Sequence, residues 1–328
     1  MYSEAFLQAL QQGLQETVSA WGLSPETKIS LLNISENATY RADDPEAAAP
    51  VILRVHRPKY HTRAEILSEL AWIDALRAAQ TAPIPAILNL TNGERIAAME
   101  AAGEMRDVVA FEFMAGTEPA PTDDLTHGFH RLGAISAKLH DHVRGWAPPA
   151  SFQRKTWNFD TTVGATPHWG SWRDSLGLTS DGRAILERAC DVLEHRLAAF
   201  GTGPDRFGLI HADLRLANLL VEGDRIGLID FDDCGFGWFA FDFAAAISFY
   251  ETDPSIPALK DAWCRGYRSV ADLPAEVEAE LPTFIMLRRL QLTAWIASHS
   301  ETPTAQEMGT AFTDDTVKIA ERYLAGQG

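Results

Sequence analysis

The spacing of apolar residues differs between residues 28–112 and the chain after residue 125, and that difference limits the folds that this chain can adopt. Residues 28–112 hold short apolar segments separated by turns, among them KISLLNI, VILRVHRP and VVAFEFM, which are typical of β-strands. After residue 125 the apolar residues recur every three or four positions, as they do in amphipathic helices. We therefore predict an α+β protein with a small N-terminal sheet and a larger, helical C-terminal part.

Helical spacing is found in residues 3–21, 63–77, 126–142, 181–199 and 277–298. The first of these segments is amphipathic, and we predict that it packs against the rest of the protein. The second lies within the strand-rich part, so one helix follows the third strand of the sheet. A turn-rich stretch at 115–124 separates the sheet from the helical part.

Composition excludes some partners and compartments. The 328 residues are 46% hydrophobic and carry a formal net charge of −17, which argues against nucleic acid and anionic membranes as partners. The charge is compatible with a cationic substrate, although an acidic surface that favours solubility is the simpler explanation. The first fifteen residues lack the features of a secretory signal, and no apolar run reaches the length of a membrane span. The three cysteines form no CxxC pair, so we predict a reducing, cytoplasmic location.

The polar residues at 211–230 form a pattern with a chemical meaning. In HADLRLAN, Asn218 lies five positions after Asp213, and Asp230 ends the next apolar segment. The pieces ANLLV and RIGLIDF predict a β-hairpin around the turn EGD, which would bring Asn218 and Asp230 together. A carboxylate on a rigid loop can accept the proton of an attacking hydroxyl. An amide oxygen and a second carboxylate can hold Mg²⁺, which neutralises nucleotide phosphates during transfer.

This pattern, H-x-D-x-x-x-x-N followed by I-D-F-D, resembles the catalytic segment of the protein-kinase-like phosphotransferases. It is more similar to the branch of aminoglycoside phosphotransferases, choline/ethanolamine kinases and type II homoserine kinases, which typically has H-G-D in place of H-A-D. The resemblance implies a two-lobed, protein-kinase-like fold. Residues 1–114 would form a nucleotide-binding lobe around an antiparallel sheet, and residues 115–328 a catalytic and substrate-binding lobe.

The resemblance also implies a reaction, which is ATP-dependent transfer of the γ-phosphate to a hydroxyl group. Asp213 would be the catalytic base, and Asn218 and Asp230 would bind Mg²⁺. His211 would brace the catalytic loop. Arg215 lies where protein kinases carry a lysine aimed at the transferred phosphate, although a salt bridge explains it equally well.

The resemblance implies structural roles for two further residues. Asp242, in FDFAA, matches an aspartate that the family uses to hold this loop. His140, at the end of a predicted helix, is expected to be packed and hydrogen-bonded rather than catalytic.

The family places a cation on the third strand of the sheet to hold the nucleotide phosphates. Here that residue is Arg54 rather than the usual lysine, and Arg57 and Lys59 are the alternatives. Arginine can hold phosphate with two parallel hydrogen bonds, so the exchange is compatible with activity. An acid on the following helix orients the cation in the family. Glu69 fits that pattern better than Glu65, which lies four positions earlier on the same helix face.

Other nucleotide contacts would involve main-chain groups. The turn ISENATY lies where the family covers the phosphates, and Ser35 and Asn37 are the predicted contacts, although an ordinary turn has the same composition. The segment FEFMAG resembles the connector that binds adenine, through the main chain of Glu112 and Met114.

The acceptor site is the least determined part. Aromatic faces near carboxylates can hold an ammonium group, and we predict such contacts for Trp157, Trp238 and Asp232. Packing in the core explains the tryptophans equally well, and binding of a second metal ion is the alternative for Asp232. Segments such as WGSWR and AWIASHSE resemble the amino-alcohol and homoserine kinases more than the aminoglycoside kinases. The expected acceptor is therefore a small cationic or zwitterionic molecule with a hydroxyl group.

Two other functions remain open at this point. The first is a protein Ser/Thr kinase of the bacterial stress-response type, although the long segment ending in A-P-E is missing. The second is a pseudokinase that binds nucleotide without catalysis, for which Arg54 is the reason and against which Asp213, Asn218 and Asp230 argue.

Overall fold

The computed structural model describes residues 3–35, 37–300 and 302–326. The chain divides into two compact units. The first, unit 1, comprises Met1–Gly116 together with Pro148–Gln153, and the second, unit 2, comprises Thr117–Ala147 together with Arg154–Gly328. The mixed class predicted from the sequence is confirmed, because unit 1 contains an antiparallel sheet and unit 2 is mainly helical. The division into functional lobes after Met114 stays a prediction.

Unit 1 is built on a single antiparallel sheet with strand order β1-β2-β3-β6-β4, and β5 also pairs with β6. Its elements are α1 (Glu4–Thr17), β1 (Lys28–Ile34), β2 (Ala38–Asp43), β3 (Val51–Val55), α2 (Arg63–Ala78), β4 (Ile87–Leu88), β5 (Ala97–Ala101) and β6 (Glu104–Glu112). The helix predicted after the third strand is therefore α2.

Helix α1 covers one face of this sheet, as its amphipathic pattern predicts. Leu10 and Leu14 join Val51, Leu53 and Val55 of β3 in a single apolar cluster. A Cβ atom at Gly13 would lie 2.8 Å from the carbonyl oxygen of Glu100, so the helix lies close to β5 and requires glycine there. Strand residues alternate between faces, which leaves Ile52 and Arg54 of β3 on the opposite face.

Unit 2 contains most of the helices and two small β structures. Strands β9 and β10 form a hairpin, while β11 pairs in parallel with β7 and antiparallel with β8. The elements are α3 (Thr126–Gly145), β7 (Thr156–Trp157), α4 (Phe159–Thr162), α5 (Ser180–Phe200), β8 (Phe207–Ile210), β9 (Leu219–Glu222), β10 (Arg225–Leu228), β11 (Gly235–Trp238), α6 (Phe241–Ala246), α7 (Ile256–Arg268), α8 (Ala275–Ser298) and α9 (Pro303–Leu324).

Two features of helix packing position the catalytic region of unit 2. Helices α3 and α7 approach at Gly133 and Gly266, where an added Cβ atom would lie 2.1 and 1.8 Å from the carbonyl oxygens of Trp263 and His130. Helix α8 is buried on all sides over most of its length and packs against α5, α6 and α9. In the part of the chain that the structure describes, no helix has the length and hydropathy required to cross a membrane.

Candidate active site

The loop after β8 carries the catalytic motif, and the β9–β10 hairpin completes it. A short 3₁₀ turn at Leu216–Asn218 leads into β9. The amide of Ile229 donates to the carbonyl oxygen of Asn218 over 3.0 Å, which places Asn218 beside the residue that precedes Asp230. The predicted convergence at the ends of the hairpin is therefore present in the backbone.

Asp213 is buried, and both of its carboxylate oxygens accept hydrogen bonds. Oδ2 accepts from Nδ2 of Asn218 over 2.8 Å and from Nε of Arg215 over 3.2 Å. Oδ1 accepts from Nη2 of Arg288 over 2.5 Å. Burial raises the pKa of Asp213, but the nearby charges of Arg215 and Arg288 outweigh it and hold the pKa below its ordinary value.

The two predicted metal ligands differ in their surroundings. Asn218 is buried, and its amide nitrogen donates to both the carboxylate and the main-chain oxygen of Asp213, each over 2.8 Å. This orientation points its carbonyl oxygen away from Asp213. Asp230 is exposed and has a φ of 59°, in the left-handed region that L-residues rarely adopt. Backbone strain of this kind is concentrated at functional sites.

His211 links the two segments as the predicted brace. Its Nε2 lies 3.2 Å from the carbonyl oxygen of Ile229, and its Nδ1 lies 3.4 Å from the amide nitrogen of Asp213. Its ring also packs on Phe231, with 4.4 Å between centroids. A neutral ring protonated on Nε2 satisfies both hydrogen bonds.

A second brace is the buried chain from Ala212 through Asp242 to His140. Ala212 has a φ of 66° and donates its amide proton to Asp242 Oδ1 over 2.9 Å. The other oxygen of Asp242 lies 3.0 Å from Nε2 of His140, whose Nδ1 lies 3.2 Å from the hydroxyl of Tyr267. Burial lowers the pKa of His140, and Asp242 only partly offsets this, so His140 is neutral.

In unit 1 the predicted cation and its acid form a buried ion pair. Nη2 of Arg54 donates to both oxygens of Glu69, over 2.8 and 2.6 Å, and the side chains are 5% and 0% exposed. The guanidinium also lies over the ring of Phe111 at 5.2 Å. Glu65 instead forms a capping box with Thr62 at the start of α2. The structure thus distinguishes two acids that the sequence left as alternatives.

The turn between β1 and β2 is closed by the residues predicted to contact phosphate. The amide of Ser35 donates to the carbonyl oxygen of Asn37 over 3.0 Å, and Asn37 Oδ1 accepts from the amide of Arg57 over 3.0 Å. The Ser35 amide therefore closes the turn, and the Asn37 side chain links the turn to Arg57, two residues after β3. Phosphate contact by Ser35 or Asn37 stays a prediction.

The connector residues lie at the end of β6. Glu112 is exposed, pairs with Val51 of β3, and donates its amide proton to the carbonyl oxygen of Ala86 over 2.9 Å. Met114 follows the strand and is half-buried. Adenine contact by the main chain of Glu112 and Met114 stays a prediction.

The tryptophans predicted to contact the acceptor are core residues. Trp238 is 3% exposed, packs its ring on Phe207 and Phe284, and donates from Nε1 to the carbonyl oxygen of Gly201 over 2.8 Å. Trp157 is 2% exposed and donates from Nε1 to the carbonyl oxygen of Asp233 over 2.8 Å. Contact of these rings with an ammonium group stays a prediction, and the burial of both indoles favours the alternative of core packing.

Asp232 has a buried side chain, and Arg154 holds its main chain in place. Its side chain is buried two residues after Asp230. Arg154 donates to the main-chain oxygens of Asp232 and of Cys234, the latter over 2.6 Å. Together with Trp157, Arg154 thus binds three consecutive carbonyls that follow Asp230. No sequence signal points to this role of Arg154, because the contacts involve only main-chain oxygens.

Arg288 is a residue of the site that sequence reasoning missed. It lies in the apolar stretch FIMLRRLQLTAWIA of α8 and is 1% exposed. Arginine is rarely buried unless it is paired. Two consecutive arginines within a largely apolar stretch of helix were the available signal, and Asp213 is the partner that only the fold identifies.

Comparison with known proteins places this geometry in a family. The profile of the phosphotransferase enzyme family matches residues 29–276, which is most of the chain. The solved structure of a microcompartment-associated aminopropanol kinase is 43% identical, with a TM-score of 0.88, covering 96% of this chain and 97% of that one.

More distant similarity extends to kinases of another small molecule. Amicoumacin kinase of Bacillus subtilis is 22% identical over 295 residues, which are 85% of this chain and 82% of that protein. A structure of an amicoumacin kinase with AMP-PNP, Ca²⁺ and its substrate has a TM-score of 0.77 at 21% identity, covering 97% of this chain and 94% of that one. At this identity the structural likeness supports the fold alone.

Proposed function

This chain belongs to the phosphotransferase enzyme family as a small-molecule kinase that phosphorylates a hydroxyl group, and we propose that it transfers the γ-phosphate of ATP to a small amino alcohol. The observation that carries this proposal is the environment of Asp213. Its carboxylate is fixed by Asn218 and two arginines in a loop that also presents an amide oxygen. The amino-alcohol acceptor is supported by the 43% identity to an aminopropanol kinase.

The donor atoms of the loop fit a hard divalent cation. Asn218 offers a carbonyl oxygen and Asp230 a carboxylate, and oxygen ligands of this kind are those that Mg²⁺ prefers. The hydrogen bonds from the Asn218 amide to Asp213 fix which end of the side chain is offered. When bound, Mg²⁺ would neutralise charge on the nucleotide phosphates.

The remaining residues have separate tasks in this proposal. Arg54, paired with Glu69, binds the nucleotide phosphates. Asp213 orients the acceptor hydroxyl and takes its proton as the new P–O bond forms. A carboxylate with a low pKa is a weak base, so we expect proton transfer late in the reaction, when the hydroxyl has become acidic. Arg215, which is partly exposed, stabilises the developing charge.

We assign recognition of the acceptor amine to Asp232. Its carboxylate is buried near the proposed metal ligand Asp230, and a buried carboxylate gains most from an ionised partner. Arg154 fixes the backbone of Asp232 and so limits its movement. Neutral or anionic acceptors lack a positive charge for this carboxylate and would bind weakly.

An acceptor panel tests the proposed function. ADP release would be measured with 1-amino-2-propanol, ethanolamine, choline, homoserine and an aminoglycoside, in each case with ATP and Mg²⁺. We expect the highest kcat/KM with an amino alcohol. Turnover with none of the amine-bearing alcohols would disprove the proposal.

A matched pair of acceptors tests the role of the amine. Propane-1,2-diol keeps the hydroxyl of 1-amino-2-propanol but replaces the ammonium group, and we expect at least a 100-fold lower kcat/KM. Asp232→Asn should raise KM for the amine and leave the poor activity on the diol unchanged. An equal loss on both acceptors would assign Asp232 to another role, such as metal binding.

A further inference from the structure

Helix α8 contains two consecutive arginines, Arg288 and Arg289, and each is buried in a different ion pair. Arg289, 3% exposed, donates to Glu251 over 2.6 Å and to Thr316 Oγ1 over 2.8 Å. Arg288, 1% exposed, donates instead to Asp213 Oδ1. Because successive helical side chains point about 100° apart, one arginine faces α9 and the other faces the catalytic loop.

The hydrogen bonds of Arg288 leave it little capacity for a ligand. A guanidinium group has five N–H donors. Nε binds Ser248 Oγ over 3.0 Å, and Nη1 lies 3.1 Å from Gln291 Oε1 and 3.4 Å from the carbonyl oxygen of Ala212. Nη2 binds Asp213. The aromatic rings of Trp169 and Phe241 lie 5.1 and 5.8 Å from the guanidinium carbon.

We propose that Arg288 is the positioning residue that fixes the Asp213 carboxylate for phosphoryl transfer, an inference that rests on the proposed function. Asn218 and Arg215 occupy Oδ2, and Arg288 anchors Oδ1, so the carboxylate is held against rotation. Among the described residues, Arg288 is the hydrogen-bond donor to Oδ1. Since a carboxylate oxygen has two lone pairs, the second lone pair of Oδ1 receives the acceptor hydroxyl.

This arrangement separates Arg288 from Arg215 in function. The Arg288 side chain is 1% exposed and held on several sides, whereas that of Arg215 is 27% exposed. Arg215 is thus able to move between Asp213 and the transferred phosphate. Arg288 stays with Asp213 throughout the reaction and supplies a constant geometry and charge.

The test compares Arg288→Met and Arg288→Lys with Arg289→Lys, all assayed with the best acceptor of the wild type. Misplacement of a catalytic group lowers the reaction rate on the order of 100-fold. We therefore expect kcat of Arg288→Met to fall by about this factor, while its KM for ATP stays within about twofold of the wild-type value. Arg288→Lys should recover part of kcat, because its ammonium can reach Oδ1 but not the other partners. Arg289→Lys should lower the melting temperature and keep kcat within about twofold, since Arg289 does not contact Asp213.

A double-mutant cycle separates positioning from general damage. In an Asp213→Asn background, Arg288→Met should cause no further loss of kcat, because the carboxylate that it positions is gone. Asp213→Asn should also lower the melting temperature by leaving Arg288 buried without its counter-ion, and the double variant should regain part of that loss.

Two results would overturn the inference. One is a kcat of Arg288→Met near that of the wild type; the other is an equal loss of kcat from Arg288→Met with and without Asp213. A wild type that phosphorylates no amine would instead reject the proposed function. In that case the melting temperatures of the same double-mutant cycle still decide whether Arg288 and Asp213 are coupled. Additive effects of Arg288→Met and Asp213→Asn on the melting temperature would count against the contact.

Discussion

Arg54 of β3 donates from a single nitrogen to both carboxylate oxygens of Glu69 on α2, in a pair that is almost fully buried. The pair shows that arginine can occupy the position where the family typically has lysine and still reach the acid of the following helix. This geometry weakens the argument for a pseudokinase, which rested on Arg54.

The first prediction concerns this pair. Arg54→Met removes a buried ion-pair partner of Glu69, so we expect about 3–5 kcal/mol lower stability and at least a tenfold higher KM for ATP. Arg54→Lys should retain most activity, because the ammonium group can reach the same carboxylate. Glu65→Gln is the matched control on the same helix; it should cost only about 1 kcal/mol through the weakened cap and leave KM for ATP unchanged. An unchanged KM in Arg54→Met would remove Arg54 from the nucleotide site.

The second prediction concerns Asp213. Asp213→Asn keeps the size of the side chain but removes the proton acceptor, so kcat should fall by about 10²- to 10⁴-fold. Calorimetry should still detect ATP binding, since this carboxylate is not assigned to the nucleotide. Asp224→Asn, in the exposed turn of the same hairpin, should leave kcat unchanged. Near-normal kcat in Asp213→Asn would show that another group takes the proton.

The third prediction concerns Asp230, whose backbone is in the left-handed region. Asparagine tolerates a positive φ better than most residues, so Asp230→Asn should preserve the fold while removing a negative charge. We expect the Mg²⁺ concentration for half-maximal activity to rise at least tenfold. If it does not change while activity falls, Asp230 acts elsewhere than on the metal. Thermal unfolding of both proteins checks that the loop is intact.

The fourth prediction concerns Ala212, where the family pattern typically has glycine. A φ of 66° strains an alanine by about 1–2 kcal/mol, whereas glycine is free of this cost but loses more entropy on folding. Ala212→Gly should therefore raise the free energy of unfolding by up to about 1 kcal/mol, measured by urea denaturation. Ala217→Gly, in the neighbouring 3₁₀ turn, should lower it. A destabilised Ala212→Gly would mean that the methyl group contributes more through packing than it costs in strain.

The fifth prediction is a pH dependence of stability from His140. Burial holds its pKa below the value in the unfolded chain, so the unfolded state binds more protons as the pH falls below about 6.5. The charges facing His140 come from Asp242 and Arg144, and Tyr267 is a neutral neighbour. The stabilisation from His140 is therefore complete above about pH 6.5 and is lost at lower pH. In that range the free energy of unfolding falls with a slope approaching about 1.4 kcal/mol per pH unit.

Chemical denaturation between pH 5 and 8 would measure this slope. His140→Gln lacks the titrating ring, so its stability should depend less steeply on pH than that of the wild type. Equal slopes in both proteins would show that His140 is protonated in the folded state or does not change its proton affinity on folding.

The sequence by itself determined the class of fold and the position of the loop that carries the proposed catalytic residues. Periodicity placed β1, α2, α3 and α8 close to their observed limits, because burial of one face imposes a regular spacing on the chain. The motif placed Asp213, Asn218 and Asp230 within a single loop and hairpin, where local geometry alone brings them together.

Tertiary structure decided the partners that come from distant parts of the chain. Arg288 meets Asp213 across 75 positions, and Trp157 meets the carbonyl of Asp233 across 76. It also chose Glu69 over Glu65 and assigned Trp157 and Trp238 to the core. Spacing and composition describe one segment at a time, whereas a buried charge or an indole N–H is satisfied by whichever element packs against it. That element is known only when the chain has folded.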